Sequence, residues 1–177
     1  NDPEFHELLV RWFEYGCFCP VMRLHGYRWP LQPQYGTTGG AACVSGAPNE
    51  VWSYTDQVCE ILSDYLRLRE RMLPYITELM EEAHEKGTPV MRPLFYDFPE
   101  DKESWNVETE YMFGPKVLVK PITDADARET DVYLPGGASW TNAWTGETFE
   151  GGQKVHVAAP IEQIPLFTRD GYKLPMK

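Results

Sequence analysis

Apolar side chains fall at Phe5, Leu8, Leu9, Trp12 and Phe13 near the start of the chain. That spacing is helical and predicts a helix over residues 4–15. Asp2 can cap it, Pro3 can take its first position, and Gly16 can end it. The short apolar run 17–22 reads as a buried parallel strand, with irregular pairing near Pro20, which has no N–H for a ladder. Residues 26–52 hold five glycines, three prolines and little periodicity. Loops of this length are usually functional or disordered. A long apolar stripe from Val58 to Ala83 then predicts a helix over 53–86. Ser53 and Asp56 can cap its start, Gly87 and Pro89 can close it, and Pro74 predicts a kink or break near 70–73.

The pattern changes after Gly87. Residues 90–98 read as a strand interrupted by proline. Further short strands are expected at 111–113, 117–120, 130–134, 139–142, 155–158 and 164–167. Gly-Pro, Pro-Gly-Gly, Thr-Gly-Glu and Gly-Gly-Gln turns separate them. Many short strands with regular turn signals indicate an antiparallel β-sandwich or barrel. The chain is therefore expected to divide into 1–87 and 88–177, with no internal repeats.

At 177 residues the chain can bury one good core or two small ones. Its net charge of −11 argues against a nucleic-acid partner, which needs a basic footprint, and disfavours anionic membrane surfaces. No apolar run approaches the length of a bilayer-spanning helix. The start, Asn1 to His6, does not read as a signal peptide, and the chain reads as the middle of something longer. A soluble protein facing a neutral partner fits these features, with a secreted or periplasmic setting slightly favoured over the cytoplasm. The 14% aromatic share is high. It suits either carbohydrate binding, where a ring packs on the apolar face of a sugar, or a large aromatic core. The cysteines, Cys17, Cys19, Cys43 and Cys59, match no zinc spacing. In a strand, Cys17 and Cys19 point to opposite faces. Buried free thiols are expected, with a bridge through Cys43 as the alternative.

His25 is the leading candidate for a site. It follows the expected strand and precedes Gly26 and the long aromatic loop, the position where a barrel strand ends and a binding face begins. A neutral imidazole there can exchange a hydrogen bond with a sugar hydroxyl. Arg23 shares its face along a strand, either holding a carboxylate of the site or joining a buried ion pair. Tyr27 and Trp29 line a subsite wall or pack the loop. No carboxylate is assigned to catalysis. Asp97, Glu100, Asp101 and Glu103 cluster in a loop, and Glu81, Glu82 and Glu85 lie on a helix end. Arg67, Arg69 and Arg71 are expected to pair with carboxylates of a barrel rather than bind anions, and Arg92 to form an interface ion pair. There is no Ser/His/Asp pattern, phosphate loop, zinc-protease motif or dinucleotide turn.

Several blocks stand in order along the chain: Arg11-Trp12, Pro20 to Gly26 with Arg23 and His25, Arg69 to Tyr75, Gly87 to Leu94, and Phe98-Pro99 with Asp101. Tyr111 to Gly114, Val132 to Pro135, Trp140, and Ile164 to Gly171 continue the series. Together they resemble the C-terminal part of a retaining α-glycosidase of glycoside hydrolase family 31. The resemblance implies the end of a (β/α)₈ TIM barrel over 1–87 (helix 7, strand 8, long loop, helix 8), followed by an antiparallel β-sandwich domain over 88–177. It implies exo-acting hydrolysis of a terminal α-linked sugar with retention, by an Asp nucleophile and an Asp acid/base that both lie upstream of the matching region. His25 would contact hydroxyls of the sugar at the cleavage subsite rather than act as a base. No metal or organic cofactor is implied. The partners would be the carbohydrate and the remainder of the enzyme, and this chain alone would be inactive. Arg23-Leu24-His25-Gly26 and the segment Gly46 to Ser53 resemble the α-xylosidases more than the α-glucosidases, which often carry Asn after the arginine. An α-glucoside is the alternative substrate. A free-standing, non-catalytic carbohydrate-binding or scaffold module is the alternative of another class.

Overall fold

The structure is a computed structural model and describes residues 2–24, 29–30 and 46–176. Helix α1 (Pro3–Cys17) starts as its sequence dictates. Asp2 Oδ1 accepts the N–H of Glu4 at 3.1 Å, and Pro3 fills the first position. Helix α2 (Asp56–Lys86) is capped by Thr55, whose hydroxyl accepts the N–H of Val58 at 3.3 Å. Ser53 does not cap it, because residues 51–53 form a separate turn of 3₁₀ helix. Gly87 ends α2 in the left-handed region, its N–H bonded to Ala83 O.

Two expectations in the first half need correction, one for a helix and one for a strand. The break near Pro74 is absent, and α2 runs uninterrupted for 31 residues. Pro74 sits on the exposed side, where water can reach the Glu70 carbonyl it leaves unbonded. Nor do residues 17–22 form a strand. Cys17 is the last residue of α1, and a turn follows. A parallel strand needs a neighbour to pair with, and none of the described strands pairs with this segment.

The second half is β1 (Met91–Pro93), α3 (Leu94–Asp97), β2 (Tyr111–Phe113), β3 (Val117–Val119), β4 (Glu129–Leu134), β5 (Ser139–Asn142), β6 (Thr148–Glu150), β7 (Gln153–Ala158) and β8 (Leu166–Arg169). The expected strand over 90–98 is therefore a three-residue strand followed by one helical turn. Six strands form an antiparallel sheet in the order β1-β2-β3-β8-β5-β6, and β4 pairs with β7.

Register sorts the core into two layers. Met112 lies opposite Leu118, and Leu118 opposite Phe167. These three point into a cluster with Trp140, Val132, Leu134, Leu94 and Phe98. Their neighbours along each strand, Phe113, Val117, Val119 and Leu166, point the other way, into a cluster with Phe13, Leu62, Tyr65, Met72 and Leu79 from α1 and α2. The large sheet is thus covered on one face by the helices and on the other by the β4–β7 ribbon. That is why β3 reads Val-Leu-Val, buried at every position, rather than alternating.

Candidate functional site

The segment that carries the candidate residues leaves α1 through a tight turn. The N–H of Phe18 bonds to Tyr15 O at 3.0 Å and that of Cys19 to Gly16 O at 3.1 Å, which takes up carbonyls at the helix end. Phe18 is fully buried and meets Phe113 edge-on. Beyond it the chain emerges, and Val21, Arg23 and Leu24 are exposed. Trp29 stands 77% exposed. His25 and Tyr27 lie outside the described residues, so the four candidates are not assembled by anything described here.

What holds this turn was not foreseen from the sequence. Arg69, on α2, donates from Nη1 to Cys17 O at 2.6 Å and Cys19 O at 2.9 Å, and from Nη2 to Pro20 O at 3.1 Å. Tyr111, at the start of β2, donates its hydroxyl to Phe18 O at 3.0 Å. All four carbonyls from 17 to 20 therefore receive a side-chain donor. A guanidinium and a phenol stand where a strand ladder was expected. One signal was available: Arg69 falls three and four residues from Met72 and Tyr65, on the edge of the buried stripe, where an arginine is not a solvated charge.

The expected pairing of the three arginines with carboxylates is corrected in the same way. Arg71 donates to Pro175 O and Met176 O, both at 2.8 Å. Arg67 alone meets a carboxylate, Asp64 on its own helix, and both are exposed. Arg92 does form an interface ion pair. It is buried, holds Asp97 at 3.1 Å and Pro89 O at 2.7 Å, and lies 3.8 Å from Glu82 on α2.

Burial sets the protonation of the groups around the turn. It raises the Tyr111 hydroxyl far above its ordinary value, so the phenol remains a donor. It pushes the Cys17 thiol up to about 12, against the lowering pull of Arg69, and raises Cys19 as well. Neither is a thiolate at neutral pH, so neither serves as a nucleophile. Cys17, Cys19 and Cys59 are free, and Cys43 lies outside the described residues.

A second buried polar centre is built on Arg11 and Glu14, in the second half of α1. Arg11 reaches Glu14 at 3.0 Å and the carbonyls of Ala127, Ala159, Pro160 and Gln163 at 2.8 to 3.3 Å. Tyr65 donates to Glu14 Oε1 at 3.0 Å and accepts the N–H of Ile164 at 3.0 Å. Burial raises the Glu14 carboxyl to about 7. Arg11 pulls it down, but that guanidinium is shared among four carbonyls. This network ties α1 and α2 to the loops of the second half. A cavity of about 650 Å³ beside it is lined by Tyr65, Arg71, Trp144 and Glu162, and another of about 700 Å³ lies between α1, α2 and residues 122–128. Neither is lined by Arg23 or Trp29. Two of the clustered carboxylates are committed to structure. Asp97 pairs with Arg92, and Asp101 accepts the Tyr133 hydroxyl and the Gly136 N–H, both at 2.7 Å.

Residues 1–79 match the TIM-barrel domain of glycosyl hydrolases family 31, and residues 87–174 match that family's C-terminal domain. The chain belongs to glycosyl hydrolase family 31. Helices α1 and α2 thus belong to the C-terminal part of the family 31 barrel, and the sheets, with α3, to the domain that follows. It is 36% identical to an alpha-xylosidase of Saccharolobus solfataricus over 99% of this chain and 22% of that protein. Alpha-glucosidase 2 of Bacillus thermoamyloliquefaciens is also 36% identical, over 93% of this chain and 19% of that protein. Among solved structures, a family 31 alpha-xylosidase from a soil metagenome, complexed with xylose, is similar with a TM-score of 0.91 and 46% identity. That match covers 98% of this chain and 26% of the other. The chain thus spans about a fifth of the length of these curated relatives. No helix among its described residues is long and apolar enough to cross a membrane.

Proposed function

We propose that this chain is part of a retaining exo-α-glycosidase that removes non-reducing terminal α-linked sugars, with an α-xyloside preferred. The observation that carries the substrate class is the 46% identity, over nearly the whole chain, to an alpha-xylosidase complexed with xylose. An α-glucoside is the second reading, supported by the equal identity to an alpha-glucosidase. The two sugars differ by one hydroxymethyl group, a difference that pocket shape discriminates by only a few kcal/mol.

In this reading His25 and Arg23 bind the sugar at the cleavage subsite, and Tyr27 and Trp29 form part of its wall. Retaining cleavage requires two carboxylates about 5–5.5 Å apart, and these come from the rest of the barrel. The boundary between barrel and sandwich falls between residues 87 and 88, a placement supported by the left-handed stop at Gly87. The remainder of the barrel is the partner of this chain, and two exposed apolar stripes support that. One runs along α1 through Phe5, Leu8 and Trp12, the other along α2 through Leu66, Leu73 and Met80. A free-standing module would leave both stripes in water.

The test is hydrolysis of p-nitrophenyl α-xyloside and p-nitrophenyl α-glucoside by the full-length enzyme. The expected result is a higher kcat/KM on the xyloside and a raised KM in His25→Ala. A higher kcat/KM on the glucoside would reverse the substrate assignment, and activity on neither would remove the reading.

A further inference from the structure

We infer that Arg69 and Tyr111 are positioning residues for sugar binding, fixing from two different elements the turn that delivers Arg23 and His25. The inference rests on the reading of that segment as part of the cleavage subsite. Among the described residues, four successive carbonyls, 17 to 20, are held by these two side chains, three by Arg69 and one by Tyr111. The last of them, on Pro20, is only three residues from Arg23 and five from His25.

The chemistry suits the task. A guanidinium presents five N–H donors in a rigid fork, so one side chain can span carbonyls on different residues. An ammonium radiates three donors from a single atom, so it lacks the second, separately placed nitrogen that here reaches Pro20 O. The Tyr111 phenol keeps its proton because it is buried, so it stays a donor over the working pH range. The two anchors come from opposite halves of the chain, Arg69 from α2 and Tyr111 from the large sheet. The sandwich is therefore joined directly to the site-bearing segment. Phe18 adds an apolar pin between the two hydrogen-bonded positions, packed edge-on against Phe113 in the strand that also carries Tyr111.

Arg69→Lys and Tyr111→Phe in the full-length enzyme test this, with the inhibition constant of xylose and the KM and kcat for p-nitrophenyl α-xyloside as readouts. Small displacements of a binding group are costly, so each variant is expected to raise KM and the xylose constant by about tenfold. A purely structural role would lower the yield of active enzyme and its Tm while leaving both constants unchanged. Arg71→Lys is the control: it loosens the same helix where it grips Pro175 O and Met176 O, and both constants should hold. Should Arg69→Lys fail to fold, Tyr111→Phe removes one hydroxyl only and carries the test. His25→Ala separates the two levels of the argument. If it raises the xylose constant while Arg69→Lys and Tyr111→Phe do not, the positioning role is overturned and the site stands. If it leaves the constant unchanged, the site assignment falls and this inference with it.

Discussion

Tyr75 donates its hydroxyl to the carbonyl of Phe113 at 2.9 Å, and the next residue, Gly114, rests against the same phenol. Gly114 turns the chain from β2 toward β3 with φ of 60°, and its N–H reaches Val90 O at 2.7 Å. A methyl group there would come within 2.5 Å of Leu79 Cδ2 and closer still to Tyr75. Gly114→Ala therefore combines left-handed strain with overpacking, together about 2–5 kcal/mol. Tyr75→Phe loses one hydrogen bond and should cost about 1 kcal/mol. Urea denaturation of both variants would check the order. Equal, small losses would mean that α2 and the sheet are not in this close contact.

Trp140 is fully buried between the large sheet and the β4–β7 ribbon, and its Nε1 donates to Pro135 O at 2.9 Å. Trp140→Ala should cost about 3–5 kcal/mol, as large-to-small changes at buried aromatics do. Trp140→Phe removes less volume but leaves the Pro135 carbonyl without its donor, and should cost about 1–3 kcal/mol. The Tm of each variant, compared with an exposed control such as Trp105→Phe, reads this directly. A Trp140→Ala protein as stable as the control would contradict a packed second core.

How much of this was legible follows from how much each element depends on its own sequence. The strands at 111–113 and 139–142 are where the turn signals put them, because Gly114 and Pro135-Gly136-Gly137 punctuate them. β6 was missed, since Phe149 is its only apolar residue and it forms a sheet edge. The stretch Leu94–Asp97 reads as strand by composition, yet it turns helical once Pro93 ends the ladder and Arg92 draws Asp97 back. Pro74 was overweighted because a helix-breaking proline costs less where its freed carbonyl meets water. At the candidate site, residue types pointed to the segment after α1. The anchors did not show, because Arg69 and Tyr111 act across separations of about fifty and ninety residues. Periodicity cannot report a contact of that kind.

Stability should depend on pH through two buried glutamates. Burial raises Glu14 and Glu110 each to about 7. Glu110 accepts the Tyr133 N–H and has Lys120 at 3.7 Å, but these do not offset its desolvation. In the unfolded chain each carboxyl titrates near its ordinary value, so between about pH 4.5 and 7 the folded state holds more protons than the unfolded one. Stability therefore falls as pH rises through that window and levels off above it, by up to about 3 kcal/mol per group. Asp101 acts in a separate window. Burial raises it, but the Gly136 N–H, the Tyr133 hydroxyl and other donors outweigh that and hold it below its ordinary value, so its contribution is lost only in stronger acid. Glu14→Gln and Glu110→Gln should each flatten the decline between pH 5 and 7.5 in a series of Tm measurements. An unchanged slope in both would refute this account.

The exposed stripe on α2 separates an embedded segment from a module that stands alone. Leu66, Leu73 and Met80 recur every seven residues, and Leu73 is 51% exposed. If the rest of the barrel covers this face, each leucine, already about half buried, gains about 0.7–1.5 kcal/mol on full burial, and Leu73→Glu places a charge in an apolar contact. The full-length enzyme carrying that change should then show a Tm lower by several degrees, or lose soluble yield. If the face stays in water, the same change is a surface substitution worth within about 0.5 kcal/mol, and the Tm should not move. Leu73→Ala grades the result: an intermediate loss indicates packing, whereas no loss from either variant would mean that nothing docks there. Leu73 supplies none of the described hydrogen bonds to the turn before Arg23, so the KM of any folded variant should stay unchanged. A shift in KM would indicate that this face communicates with the proposed sugar site.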